Sequence, residues 1–216
     1  MLRNYLLVTI RNLYKNRIFA LINILGLGIA LSVCIVAYFN AMFDYEFDRG
    51  HENFKQIYRV TSFRDMQGRD QEYGILPAML GLEIENDIPG VAEAARLFRS
   101  YTPVKLGQDI FNRHVSYVDP QFLDIFTFPL VSGHASAIQN PDMVLISEDL
   151  AGDLFGSDDP TGRTISLFND ANKEFAYTVG GVFHDLPQNS SFRIDVLTHF
   201  DNFLQMWNIE NVDWRL

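Results

Sequence analysis

The chain has 216 residues, 48% of them hydrophobic and 13% aromatic, with a formal charge of −10. So large an aromatic share excludes a disordered chain, and the acidic balance excludes nucleic acid, whose phosphates it would repel. The single cysteine, Cys34, excludes a disulfide within the chain, so any folded body is held by its core.

Charge is unevenly placed. Residues 1–17 carry Arg3, Arg11, Lys15 and Arg17 without an acid, and all 27 Asp and Glu residues follow Phe43. Leu2, Leu6, Ile10, Leu13 and Tyr14 recur at helical spacing, with Arg3, Arg11 and Lys15 elsewhere around the cylinder. This predicts an amphipathic elbow helix over 1–17 lying on the inner membrane surface, cations toward acidic lipid headgroups. A plain basic flank that is merely helical is the alternative.

Residues 18–43 contain no Asp, Glu, Lys, Arg or His. A helix over them is ~39 Å long at ~1.5 Å per residue, enough for ~30 Å of hydrocarbon with some tilt. Apolar residues all the way round predict a transmembrane helix rather than a soluble one. The run is too long for a signal peptide and no small-x-small site follows, so it reads as an uncleaved anchor. Its basic flank places the N-terminus in the cytoplasm and residues 44–216 outside. Gly26 and Ala30, four apart, would let another helix approach closely, and Asn23 and Asn40 would prefer a protein partner to lipid.

Residues 44–50 extend the helix as a short stalk. Residues 54–63 alternate as a first strand, 66–70 make a polar turn, and 76–86 form a helix closed by Pro89-Gly90. Strands follow at 91–100 and 108–118 around a turn at 103–107. Asp119-Pro120 marks a helix start, an N-cap acid then a first-turn proline, running to Phe126. The chain then leaves through Pro129 and Gly133. Residues 143–146 are a buried strand; Ser147 caps a helix with Leu150 and Leu154 on one face and Gly156 at its end. After a turn at 158–162 come strands at 164–168, 175–183 and 192–200. The irregular alternation of helices and strands predicts an α+β class.

Catalytic patterns do not emerge. There is no P-loop, so ATP is not bound in that manner, and no nucleophile elbow. The five histidines are scattered without ligand spacing; His199 and Asp201 are placed only to pair at a surface. Asp149, Asp153, Asp158 and Asp159 do not fit a calcium loop and read as a solvated face. Asn189-Ser190-Ser191 fits a glycosylation pattern relevant only in a eukaryotic secretory route. The expectation is a non-enzyme with no cofactor and no metal.

Several stretches carry a resemblance in order along nearly the whole chain. They begin with RNLYKNRIFALINILGLGIAL, then Ile57-Tyr58-Arg59-Val60, then Val118-Asp119-Pro120 with Phe122, Ile125-Phe126 and Phe128-Pro129-Leu130, and Gly133. They continue through Val144-Leu145-Ile146-Ser147, Ala151, Leu154-Phe155-Gly156, Asp159-Pro160, Gly162 and Tyr177-Thr178-Val179. Gly181-Val182, Asp185-Leu186-Pro187 and Asn189-Ser190 close the series. In this order they resemble the N-terminal part of MacB/FtsX-type ABC transporter permeases. Gly50 stands where that family would have a bulky aromatic.

The resemblance implies an N-terminal elbow helix, one transmembrane helix, and a mixed α+β extracytoplasmic domain over 44–216, a MacB-like periplasmic core domain that is cut short at Leu216. It marks Tyr58, Arg59, Asp119, Pro120, Phe122, Phe126, Phe155, Gly156, Pro160, Gly162, Gly181, Val182 and Pro187 as structural positions. It further implies a permease dimer in the cell inner membrane, driven by a separate cytoplasmic ATPase and in some cases joined by a periplasmic adaptor. Such a subunit exports substrates or transmits mechanical work across the envelope. The other reading is a single-pass anchored binding or sensing module without transport.

Overall fold

A computed structural model describes residues 2–65, 68–107 and 109–210. Met66 and Gln67 of the expected polar turn, Gln108 at an expected strand start, and residues 211–216 lie outside the described residues, as do the side chains of Leu2, Arg3, Leu6 and Arg64. The chain divides into two compact units, Met1–Phe47 and Asp48–Leu216.

In the first unit, α1 (Leu2–Lys15) and α2 (Arg17–Tyr45) are separated at Asn16, whose φ of −112° and ψ of 41° leave the helical region. No residue of α2 is buried within the chain, and among the described residues it is the one helix long and apolar enough to cross a membrane. The Ser32 hydroxyl donates to the Gly28 carbonyl at 2.8 Å, which satisfies it inside an apolar helix. Helix α2 stops at Tyr45 and residues 46–50 are turns, so the expected helical extension to Gly50 does not form.

The second unit is built on one seven-stranded sheet, ordered β5-β8-β6-β9-β4-β3-β7, in which β7 also pairs with β8 so that the ladder closes on itself. β3 (Leu97–Leu106) and β4 (Asp109–Val118) form a long antiparallel hairpin, as do β7 (Thr164–Phe168) and β8 (Glu174–Phe183). β6 (Met143–Ser147) runs parallel to β8, and β9 (Val196–His199) runs parallel to β4. β5 (Leu130–Gly133) is antiparallel to the far end of β8. A separate hairpin joins β1 (Ser62–Asp65) to β2 (Asp70–Tyr73).

Both faces of the central strands are covered, which is why a segment such as MVLIS is apolar without alternation. Val144 and Ile146 of β6 face one core with Val115, Tyr117, Val196, Leu150 and Phe203. Their neighbour Leu145 faces a second core with Val118, Leu197, Phe183, Phe122 and Ile138, as the two-residue period of a strand requires. Helices α5 (Glu148–Phe155) and α6 (Phe200–Met206) close the first core; α4 (Phe122–Ile125) and a 3-10 turn (Ala135–Gln139) close the second. α3 (Ala78–Asp87) follows the β1–β2 hairpin in sequence.

Several expected elements are corrected. Residues 54–63 are mostly turn and coil, with Tyr58 84% exposed; their alternation has no ladder partner before Ser62. The strand expected from 91 begins at Leu97, and Pro103 lies within β3 opposite Asn112 rather than in a turn. The strand expected over 192–200 shortens to β9, since residues 192–195 stay outside the ladder and Phe200 already opens α6. β2, β5, the 3-10 turn and α6 are elements the sequence reading lacks.

Candidate functional site

Asp48 opens the second unit, three residues after α2 ends. Its φ of 56° is left-handed, a conformation Asp tolerates better than most residues. Its N–H donates to the Asn189 carbonyl at 2.9 Å. Its carboxylate accepts the Ser191 N–H at 2.6 Å and also the Ser191 hydroxyl. That receiving loop is shaped by Pro187, whose carbonyl accepts the Ser190 N–H at 3.1 Å. Three bonds thus tie the incoming chain to one loop.

A second tie follows at once. His51 is 7% exposed, and its Nδ1 accepts the Thr127 N–H at 3.2 Å. The neighbouring Glu52 N–H donates to Thr127 Oγ1 at 2.9 Å, so Thr127 is gripped from both ends. Around the imidazole stand Phe126, Phe192 and Phe128, at ring-centre distances of 5.1, 5.8 and 6.4 Å. Phe122 packs against Phe126 at 4.7 Å and Phe192 at 5.5 Å, and Phe128 against Phe183 at 5.6 Å, which joins this aromatic box to the second core. Burial pushes the His51 pKa below its ordinary 6.5, with the Asp48 carboxylate opposing that shift. With Nδ1 accepting, the neutral ring carries its proton on Nε2.

The sequence-derived positions divide in two. Phe122, Phe126 and Pro187 converge on this site. Asp119 does not cap α4 with its side chain: its carboxylate takes Arg96 Nε and Nη2 at 2.8 and 2.6 Å, while its carbonyl accepts the Phe122 N–H. Pro120 follows it into the turn before α4. Phe155 and Val182 lie in the first core, and Gly156, with a φ of 64°, ends α5. Pro160 and Gly162 shape the turn before β7, where the Gly162 N–H meets the Val179 carbonyl at 2.8 Å. Gly181 faces Gly133 across the β5–β8 pairing. Tyr58 is exposed, and Arg59 reaches the Gly74 carbonyl at 3.4 Å. Gly26 and Ala30 lie on α2, where a Cβ added at Gly26 would meet nothing within 4 Å.

Of the residues considered for chemistry, His199 Nδ1 accepts the Asp201 N–H at 3.1 Å as the cap of α6. Asp153 pairs with Arg113, and Asp158 with Arg163, so that acidic face is partly neutralised. Among the described residues no group of three His, Cys, Asp or Glu side chains is arranged to hold a metal ion. Asp48, His51, Thr127, Ser191 and Phe192 are the site residues the sequence reading missed. The one available signal was the density of phenylalanine between 122 and 128.

A family model of the MacB-like periplasmic core domain matches residues 20–213. Among solved structures, a domain assigned to a permease protein of Porphyromonas gingivalis is similar with a TM-score of 0.55 and 29% identity, covering 65% of this chain and 60% of that one. The chain therefore spans 60% of that structure's length. The periplasmic region of MacB from Actinobacillus actinomycetemcomitans shares the fold, with a TM-score of 0.51 at 16% identity over 71% of each chain. No curated protein matches. The family match covers most of the chain, and α2 supplies an apolar N-terminal helix long enough to anchor an extracytoplasmic domain. The chain belongs to the MacB-like periplasmic core domain family.

Proposed function

We propose that this chain is the N-terminal part of a permease subunit that carries ATP-driven motion, generated by a separate cytoplasmic ATPase, to an extracytoplasmic domain. The work serves export or mechanotransmission across the envelope. In this reading α1 rests on the lipid surface, α2 crosses the inner membrane with its N-terminus inside, and the subunit works as a dimer with an adaptor outside.

The observation that carries the reading is the double fastening at Asp48 and at His51–Glu52. A slack linker would absorb displacement of the chain as a change of its own conformation. Bonds to Asn189 and Ser191, then to Thr127, fasten the second unit's own first residues, from Asp48 onward, to its loops. Movement arriving through the backbone is delivered to the aromatic box and the sheet behind it.

The test uses the full-length permease purified from membranes. A P-loop ATPase should co-purify, and adding ATP should change amide exchange in peptides spanning 48–56 and 187–193. Absence of any ATPase, or exchange indifferent to ATP, would overturn the reading in favour of a single-pass binding or sensing module.

A related expectation concerns the small face of α2. Gly26 and Ala30 lie one turn apart, and Gly26→Leu should reduce crosslinking between neighbouring spans through Cys34 while leaving insertion unchanged. An undiminished crosslink yield would show that this face meets lipid.

A further inference from the structure

We propose that His51 is a proton-operated latch: protonation of its imidazole in a mildly acidic outer compartment unfastens the segment 48–52 from Thr127 and the aromatic box. The inference rests on reading these residues as the joint through which motion enters the domain, and it adds a control over that joint.

The hydrogen-bond geometry carries the argument. Thr127 N–H points at His51 Nδ1 from 3.2 Å. An imidazolium bears a proton on both nitrogens, so a donor would then face a donor and this bond cannot persist. The backbone N–H of Thr127 cannot rotate away as a hydroxyl could. Relief requires the ring or the 126–128 segment to move. Either movement disturbs the bond between Glu52 N–H and Thr127 Oγ1, because both ties end on the same residue.

The surroundings set the direction. From the exit of α4 the ring meets Phe126 and Phe128, and from the loop before β9 it meets Phe192; none of these can ionise. The charge acting on it is Asp48, on its own segment, whose carboxylate is already engaged by Ser191. Burial outweighs both that carboxylate and the backbone of Thr127, which also favours the charged ring, so the net shift in the latched state is toward the neutral ring. The unlatched ring, in water, keeps its ordinary pKa of 6.5 and binds the proton first. Stability of the latch therefore rises with pH, and is lost progressively as pH falls below that value.

The test is hydrogen exchange of the full chain in lipid nanodiscs at pH 7.5 and pH 5.0, normalised for the chemical rate at each pH. Opening of peptides that contain Glu52 and Thr127 should increase several-fold on acidification, in the direction the lowered His51 pKa sets. His51→Asn, which offers an acceptor near the place of Nδ1 and does not titrate, should abolish the response. Asp48→Asn removes the opposing charge and should move the midpoint to lower pH. Equal protection at both pH values, or an unchanged response in His51→Asn, overturns the latch. If His51→Asn does not fold, the Asp48→Asn midpoint decides, and a midpoint that stays in place or rises overturns it. The ATP-dependent exchange measured at pH 7.5 is a separate readout. Its persistence without a pH response removes the latch alone; its absence alongside a pH response removes the coupling reading alone.

Discussion

Asp119→Ala is expected to lower the melting temperature of the extracytoplasmic domain by about 10 °C. Asp119 and Arg96 side chains are 11% and 13% exposed, and they meet in a two-pronged pair at 2.8 and 2.6 Å. The same carboxylate also accepts the Arg96 backbone N–H at 2.8 Å. The guanidinium lies 3.9 Å over the Phe200 ring, and its stem packs so tightly on α3 that a Cβ at Gly81 would come within 2.5 Å of Arg96 Cγ. Arg96 therefore cannot swing into water when its partner is removed. Leaving one partner of a buried pair uncompensated costs about 3–5 kcal/mol. A domain of this size loses roughly 2–4 °C per kcal/mol, which gives the stated shift. Thermal unfolding followed by tryptophan fluorescence measures it. The paired variant Arg96→Met with Asp119→Leu should cost less than Asp119→Ala alone, because it leaves no buried charge behind. A loss below about 1 kcal/mol in the single variant would mean that Arg96 finds another partner and the pair is not a fixed anchor.

This pair shows where sequence reading reaches its limit. Asp119-Pro120 is legible as a structural position, yet its local spacing points to a helix cap, because the partner Arg96 lies across the β3–β4 hairpin. Where both partners are local, the reading succeeds. Ser147 accepts the Leu150 N–H at 3.2 Å at the start of α5, and Gly156 ends that helix with a positive φ, as their positions along the chain imply. α2 is legible for the same reason, since an absence of charge over a long run needs no partner to interpret. The segment 54–63 fails the opposite way: it alternates like a strand, but pairing decides whether a strand forms, and no neighbouring strand is supplied. His51 is the hardest case. It stands among Asp48, Arg49 and Glu52, a stretch that reads as solvated, and it is buried only by Phe126, Phe128 and Phe192 from far along the chain. A fold of the same class could be inferred from the sequence; the joint could not.

Gly133→Ala is expected to detach β5 from β8 and to lower the melting temperature by a comparable amount. Gly133 has a φ of +78°, and a Cβ there would lie 2.2 Å from the Gly180 carbonyl oxygen and 2.3 Å from Gly181 Cα. Both obstacles are backbone, so no side-chain rotation relieves them. Gly181 and Gly180 are constrained in turn, since a Cβ on them would meet the Ser132 carbonyl at 2.8 Å and the Ala137 Cβ at 2.3 Å. Three glycines thus let β5 and the 3-10 turn close onto β8. The left-handed conformation alone costs a non-glycine residue about 1–2 kcal/mol, and the forced shift of a packed backbone adds roughly 1–3 kcal/mol. Gly162→Ala separates these two terms, because Gly162 has a φ of +80° and nothing within 4 Å of an added Cβ. It should lose only the smaller, conformational part. The consequence reaches the joint, because β5 begins two residues after Phe128 and the Pro129 carbonyl is held by the His184 N–H at 2.9 Å. Freeing β5 releases Phe128 from Phe183 and opens one wall of the box around His51. Amide exchange at Glu52 and Thr127 should therefore rise in Gly133→Ala even at pH 7.5, where the latch itself is closed. Equal melting temperatures for Gly133→Ala and Gly162→Ala would show that β5 moves aside without cost, and that the wall it supports is not what keeps the joint shut.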